Sequence, residues 1–311
     1  MTMDSTVDPR TRMASPAFRP SNAGPAAAAD YVCFGDLPPA EEDDTGATWY
    51  ARGQNFLIAY SQVLDGWSAS RVGQPDEYVV VLPDSSTRAA VEANGETADV
   101  NGFSLIIVPP GDSTVTITGA GKVLRLLTSQ AAGDQLRLAT NADSYIEPHA
   151  TVAPFHPWPE APDGNKIRSY SLDVPREETR FGRIFRCSTF MVNYLYPTVG
   201  PRDTSKMSPH THDDFEQASF AVEGDYHHHL RWPWTVNKAH WRDDDHVHCP
   251  APSLAIIPPP VIHTSQAVGA GDNQLIDIFC PPRHDFSAQE GWVLNHDEYP
   301  GAGPDDATGT S

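Results

Sequence analysis

Short apolar runs bounded by turn residues recur along most of the chain, and they predict an all-β protein. From Trp49 onward, runs such as NFLIAY, EYVVVL and SLAII are bounded by Gly, Pro, Asp or Asn. This spacing is typical of strands joined by tight turns in a sandwich or barrel. No long segment has a helical period, and only residues 85–94 could form a short turn of helix.

The pattern of strands occurs twice. SLIIVPP in the first half aligns without a gap on SLAIIPP in the second, and two upstream segments match in the same order. The simplest account is the duplication of one β-domain. The matched pairs are residues 56–60 with 190–194, 76–84 with 216–225, and 104–110 with 253–259.

Changes in composition predict the domain boundaries. The N-terminal segment has too little apolar content to offset the entropy of ordering, and a Pro-rich, aperiodic segment separates the two halves. We therefore expect a mostly disordered arm (1–44) that is pinned in part at YVCF (31–34), a first β-domain (45–145), a connector (146–178), a second β-domain (179–300) and a flexible tail (301–311).

The net charge restricts the partners. The 41 acidic against 21 basic side chains give a net charge of -20. Such a chain repels phosphate backbones and anionic headgroups, so we expect no nucleic-acid and no membrane partner. The sequence shows no apolar run of signal-peptide or membrane-span length, which predicts a soluble, cytoplasmic protein.

Three histidines and a glutamate form a candidate metal site. His210 and His212 are two residues apart, so an extended strand presents both imidazoles on one face. Glu216 follows in phase with an apolar alternation, and a carboxylate on an inward face is costly unless it is paired or metal-bound. His263 follows a Pro-rich turn on a distant strand. Imidazole and carboxylate together suit a first-row divalent ion.

These residues resemble the two motifs of the cupin superfamily. The first motif, His-x-His, three or four residues, Glu, six residues and Gly, matches His210, His212, Glu216 and Gly224 with three and seven intervening residues. The second motif, a Pro-rich turn followed by one histidine, matches the segment that ends at His263. The resemblance covers roughly residues 49–300. It implies a bicupin, with two double-stranded β-helix (jelly-roll) domains.

The first half lacks the candidate ligands. Opposite the second-half site it carries no histidine, so only the second cupin domain can hold the metal, and the first is structural. Its counterpart residues are Ser70, Val72, Asp76 or Glu77, and Thr114 or its neighbour.

Residues next to the first motif are candidates for catalysis and substrate binding. Tyr226, His227 and His229 are candidate general bases by position. Candidate substrate-binding residues are Arg231, Trp232 and Gln217, with Arg231 placed to pair with a substrate carboxylate.

The long insertion at residues 231–248 carries three tryptophans and could form a lid or a dimer contact. The histidine run at residues 227–229, with His240, His246 and His248, could also form a second metal site.

The ligand set implies an enzyme, and the resemblance leaves its reaction open. Four protein ligands leave two adjacent positions on an octahedral ion. We favour Fe(II) and a dioxygenase acting on a small chelating substrate such as a catechol, diketone or thiol. The alternative is Mn, Zn, Ni or Co as a Lewis acid in a lyase, isomerase, cyclase or decarboxylase. A binding or storage protein is a third hypothesis, and the resemblance further implies a homodimer.

Overall fold

The computed structural model describes residues 25–213 and 215–301, in which four antiparallel sheets pack as two sandwiches. The strands of the first half, with the one before it, are β1 (Asp30–Cys33), β2 (Glu41–Asp43), β3 (Gly46–Arg52), β4 (Phe56–Val63), β5 (Ser68–Gln74), β6 (Tyr78–Leu82), β7 (Arg88–Ala93), β8 (Glu96–Asn101), β9 (Ser104–Val108), β10 (Gly111–Thr118) and β11 (Gly121–Thr128). Those that follow are β12 (Arg168–Ser171), β13 (Arg183–Arg186), β14 (Met191–Tyr194), β15 (Thr198–Val199), β16 (Gln217–Glu223), β17 (Asp225–Arg231), β18 (Asp245–Pro250), β19 (Ser253–Ile257), β20 (Ile262–Ala267) and β21 (Asp272–Phe279).

Helical structure in the described residues is confined to short turns. Two α-helical turns are α1 (Ser129–Ala132) and α2 (His284–Ser287). The 3-10 turns are Phe34–Asp36, Gly133–Leu138, Ala142–Tyr145, Thr204–Lys206 and Lys238–His240. None of the helices in the described ranges has the length and apolar character needed to cross a membrane.

The two halves repeat the same strand order, which confirms the repeat in the sequence. The large sheets run β12-β9-β6-β11-β4-β3-β2 in the first half and β1-β19-β16-β21-β14-β13 in the second, where β15 also pairs with β21. The small sheets run β5-β10-β7-β8 and β18-β17-β20. The three sequence matches therefore correspond to β4 with β14, β6 with β16, and β9 with β19.

The halves exchange edge strands. β1 pairs with β19 of the second half, whereas β12 pairs with β9 of the first. The prediction of a disordered arm over residues 1–44 is therefore wrong for residues 25–44, which contain β1, β2 and the fully buried Phe34. The predicted connector likewise contributes a strand. Residues 1–24 and 302–311 lie outside the described ranges.

The short helix considered at residues 85–94 is a strand. In β7 buried and exposed residues alternate strictly, with Ala89, Val91 and Ala93 facing inward. A period of two buries these side chains on a sheet, and a helix would scatter them around its axis.

The large sheets of the two halves face each other across a shared apolar core. Residues from both halves belong to one cluster, in which the rings of Tyr60 and Phe220 lie 5.5 Å apart between centroids. The interior of the first sandwich is filled by a continuous apolar cluster that includes Tyr50, Val80 and Val115. The apolar residues of the second sandwich form three smaller clusters, and polar side chains occupy the space among them.

Candidate metal centre

Three of the four predicted ligands lie together inside the second sandwich. The backbones of His210 and His263 exchange two hydrogen bonds, of 3.0 and 2.8 Å, and their rings are 4.3 Å apart between centroids. The His212 ring lies 5.2 Å from His210 and 5.0 Å from His263. One nitrogen from each of the three buried imidazoles lies within 4.8 Å of the others. A single ion can therefore contact all three.

Backbone carbonyls fix the ring orientation of two of these histidines. Nδ1 of His210 donates to the Ser208 carbonyl, and Nδ1 of His263 donates to the Val261 carbonyl, both at 3.0 Å. Since these carbonyls only accept, each Nδ1 carries the proton and each Nε2 presents a lone pair. The local backbone thus prepares both rings as metal ligands.

Gln217 supplies a fourth candidate ligand atom, its amide oxygen, to this cluster. Its Oε1 lies 2.7 Å from Nε2 of His212 and 3.2 Å from Nε2 of His263. Its Nε2 donates to Ser219 Oγ at 2.9 Å and to Asp277 Oδ1 at 3.1 Å. Because the carboxylate of Asp277 only accepts, the amide oxygen has to face the histidines. The sequence analysis had assigned Gln217 to substrate binding.

Glu216 lies apart from the histidines, which corrects its assignment as a ligand. Its Oε2 accepts from the backbone amide of Gln54 at 2.7 Å, and its Oε1 accepts from the Tyr145 hydroxyl at 3.0 Å. Nδ1 of His149 is 3.7 Å from the same Oε1. All three partners precede the second half of the chain, so this carboxylate ties the two halves together.

The motif spacing supports Gln217 as the counterpart of the family's glutamate. Four residues separate it from His212 and six from Gly224, the regular spacing of the motif. Gly224 has a φ of +85°, and a Cβ there would lie 2.3 Å from Asn273 Oδ1, so the turn requires glycine.

The alternation along β16 misled the sequence analysis because both faces of this strand are buried. Ala218 and Phe220, in phase with Glu216, pack into the core shared by the two halves. Gln217 and Ser219 face the polar interior of the second sandwich. Apolar periodicity alone does not distinguish these two buried faces.

His227 and His229 lie on the wrong face of β17 to act on the metal centre. In this sheet Leu230 is directly opposite His263, and His228 is opposite Ser265. Opposed residues of an antiparallel pair point to the same face. His227 and His229 therefore point to the outside of the sandwich, and their assignment as catalytic bases is wrong.

His228 and Tyr226 share the inner face of β17. His228 is fully buried with Nδ1 2.9 Å from Ser265 Oγ, and burial and the nearby His263 lower its pKa to about 3. Burial, and then the charge of Asp277, raises the pKa of Tyr226 above its ordinary value. Tyr226 therefore keeps its proton near neutral pH, and its assignment to catalysis stays a prediction.

The predicted substrate-binding residues of the insertion already have partners. Arg231 is exposed and pairs with Asp244 at 2.8 Å. Trp232 is buried, and its Nε1 donates to Asp245 Oδ1 at 3.1 Å. Arg231 is thus directed away from the metal centre.

A buried arginine near the histidines was missed. Arg283 is only 4% exposed and pairs through Nε and Nη2 with Asp285, while its buried Nη1 has no hydrogen-bond partner among the described residues. Its guanidinium lies 5.1 Å from the centroid of Phe215, whose ring stacks on His212 at 4.7 Å. No periodicity or motif marks this residue in the sequence.

The donor set fits a divalent transition metal. Burial, followed by the charge of Arg283, holds the pKa of His212 well below its usual range, so this imidazole is neutral. Neutral imidazoles and an amide oxygen suit ions such as Fe, Mn, Ni and Zn. Within the described ranges, this triad is the only group of three or more histidine, cysteine or acidic side chains arranged to hold an ion.

The first sandwich has different residues at the corresponding positions. Tyr78 is opposite Val108 in the same register that places Gln217 opposite Ile257. The Tyr78 hydroxyl lies 3.0 Å from Ser113 Oγ, and this pair occupies the interior where the second sandwich holds its ligands.

Comparison with solved structures establishes the fold. A variant of oxalate decarboxylase from Bacillus subtilis superposes with a TM-score of 0.55 at 12% identity, covering 83% of this chain and 78% of that one. The formate complex of Lactobacillus farciminis oxalate decarboxylase gives 0.55 at 11% identity, covering 86% and 88%. No family model and no curated protein matches the sequence. The predicted all-β, cupin-type fold is confirmed by these structures and by the sheet topology.

Proposed function

We propose that this two-domain cupin is a metal-dependent enzyme whose second domain binds one divalent transition-metal ion through His210, His212, His263 and Gln217. The observation that carries the proposal is the cluster of three buried imidazoles, two of which contact one amide oxygen, at 2.7 Å from His212 and 3.2 Å from His263. Fe(II) is the favoured ion, and oxidative cleavage by dioxygen is the favoured reaction.

The neutrality of the ligands indicates the class of substrate. A glutamate ligand would cancel one charge of a divalent ion, whereas three imidazoles and an amide cancel none. Such a site favours an anionic substrate that chelates through two oxygens, because the uncompensated charge is held in a buried, low-dielectric setting. Catecholates, enolised diketones and 2-oxo or 2-hydroxy acids have this chemistry.

Arg283 adds a second positive group near His212, because it packs on Phe215, whose ring stacks on that histidine. Its buried, unpaired Nη1 can donate to a carboxylate, and the aromatic rings beneath the guanidinium hold it in place. A substrate with a carboxylate beside its chelating oxygens would satisfy both the ion and the arginine.

Two other residues of the interior have separate roles: Asp277 orients the Gln217 amide, and Tyr226 is a proton donor. Asp277 fixes the amide of Gln217 and accepts from Ser219 Oγ at 2.9 Å. Tyr226 retains its proton and can donate it to a developing oxyanion. A bound ion would supply substrate polarisation and, in the case of Fe(II), activation of dioxygen.

A second candidate is non-redox chemistry on the same substrate class, as in a decarboxylase. Two of the solved structures that share this fold carry the name oxalate decarboxylase, and a small dicarboxylate is an anionic chelator of the kind that the site favours. A donor such as Tyr226 could then protonate the carbon that loses carbon dioxide.

Metal analysis followed by oxygen uptake tests the proposal. Protein purified without added metal and washed with a weak chelator to remove ions held by exposed side chains should contain about one ion per chain, and the H210A variant should lose it. Substrate-dependent oxygen uptake by the Fe(II)-loaded form with catechols or diketones supports the dioxygenase. Metal-dependent turnover without oxygen uptake supports the second candidate, and retention of the ion by H210A contradicts the site.

We also propose that the chain forms a homodimer, since cupins, which this chain resembles, often pair into dimers. Light scattering should give about twice the chain mass of 33.9 kDa. A particle of the single-chain mass would contradict the dimer and leave the metal centre unaffected.

A further inference from the structure

Four histidines form two opposed pairs on the outer face of the small sheet of the second domain. In the register of β17 and β18, His227 is directly opposite His248, and His229 is directly opposite His246. All four point away from the buried triad, because His228 between them faces the interior. We name His227, His229, His246 and His248 the outer histidine face.

The His229 and His246 pair brings two ring nitrogens together. Their Nδ1 atoms are 2.7 Å apart, and the ring centroids are 4.9 Å apart. On its other side, Nε2 of His229 lies 3.0 Å from Oε1 of Gln266 on β20. Since an amide oxygen accepts, Nε2 of His229 carries the proton, and Nδ1 of His229 accepts from Nδ1–H of His246. An ion bound between the two Nδ1 atoms would take the place of that proton, which would move to Nε2 of His246.

The second pair extends the same face. The rings of His227 and His248 are 5.1 Å apart, and those of His227 and His229 are 6.0 Å apart. Burial, and then His248, lowers the pKa of His227, which leaves that imidazole neutral near pH 7. Asp225 Oδ1 lies 3.6 Å from Nε2 of His248 and adds a negative charge at the edge.

We propose that the outer histidine face is a second metal site, distinct from the buried centre, in which Nδ1 of His229 and Nδ1 of His246 bind one divalent ion. Two imidazoles on rigid, paired strands form a preorganised bidentate ligand, and water completes the coordination. Imidazole nitrogens favour Cu(II), Ni(II) and Zn(II). The net charge of -20 raises the local concentration of cations around the chain.

An ion at this site would link β17 to β18. β17 also pairs with β20, which carries the buried ligand His263. Binding to the folded chain alone would raise its stability in proportion to the logarithm of the metal concentration. The outer site would thereby stabilise the sheet against which the buried centre is built.

Titration of the full, tag-free chain with Ni(II), after removal of metal by a chelator, tests this site. Calorimetry should give two ions per wild-type chain, one per H229N/H246N chain and one per H210A/H212A chain. The matched control is H240N, whose histidine lies in the 238–240 turn and should leave two ions bound. Retention on immobilised nickel should be lost in H229N/H246N and kept in H210A/H212A.

The outcomes separate the two sites. The outer site would be overturned if H229N/H246N still bound two ions. It would also be overturned if the wild-type chain bound a single ion and only H210A/H212A lost it. If the wild-type chain bound a single ion and H229N/H246N lost it, the result would support the outer site and contradict the buried centre. If circular dichroism shows that H210A/H212A does not fold, the comparison of wild type with H229N/H246N decides the outer site alone.

Discussion

Glu77 and Glu216 occupy equivalent positions in the two domains, and each carboxylate binds the backbone of the opposite domain. Glu216 accepts from the amide of Gln54 at 2.7 Å, and Glu77 accepts from the amide of Ser188 at 2.9 Å. Gln54 and Ser188 are themselves equivalent, since each lies two residues before the matched segments 56–60 and 190–194. Each carboxylate also accepts a hydrogen bond from a tyrosine hydroxyl. Tyr145 donates to Glu216, and Tyr299 donates to Glu77. This symmetry explains Glu216 as an interdomain contact.

Replacing Glu216 with alanine should therefore lower stability and leave metal binding intact. The substitution leaves the Gln54 amide and the Tyr145 hydroxyl without a partner, at a cost of about 1–3 kcal/mol. Urea denaturation measures the loss, and metal analysis measures the ion. E77A is the matched control and should destabilise by a similar amount. Loss of the ion in E216A alone would restore Glu216 as a ligand.

Removing the amide contact at Asp277 should weaken metal binding without replacing any ligand. D277N no longer fixes which end of the Gln217 amide faces the histidines. Loss of such a supporting contact lowers metal affinity about 10–100-fold. Competition with a chromophoric chelator measures the affinity, and Q217A should show a loss at least as large. An unchanged affinity in both variants would exclude Gln217 from the site.

The metal-free protein should become less stable as the pH falls from 7 to 5. The folded pKa of His228 is about 3, below its unfolded value of about 6.5, so the unfolded chain binds more protons in this window. The contribution of His228 to the free energy of unfolding is complete above about pH 6.5 and declines by about 1.4 kcal/mol per pH unit below that pH.

Denaturation in the presence of a chelator, at several pH values, measures this slope. His212, whose pKa is also lowered, contributes with the same sign. H228Q should flatten the dependence. An identical slope in wild type and H228Q would show that His228 titrates normally in the folded chain.

Arg283 should govern the binding of a carboxylate-bearing substrate. R283Q removes a buried charged donor, which is worth about 1.5–3 kcal/mol, so kcat/KM should fall by about tenfold or more. Steady-state kinetics on a chelating carboxylic acid, with metal content measured in parallel, provide the check. R231Q is the control, because Arg231 is exposed and paired with Asp244. Equal effects of the two variants would contradict the role of Arg283.

The sequence by itself determined the local pattern. The alternating runs predicted strands, the repeat predicted two similar domains, and His210 with His212 predicted one shared face. These features depend on neighbours along the chain, where a period of two fixes which side chains point together. The strand at β1, in the predicted arm, was missed because its pairing partner β19 is more than 200 residues away.

Only the tertiary structure decided which buried face holds the chemistry. Glu216 and Gln217 are adjacent, and β16 is covered on one side by the other domain and on the other by its own small sheet. Apolar alternation is compatible with either assignment, so the choice depended on strand pairing across the chain. Likewise Arg283 packs on Phe215, whose ring stacks on His212, so its place near the centre depends on aromatic packing. Such contacts join residues with no periodic relationship, and no local pattern encodes them.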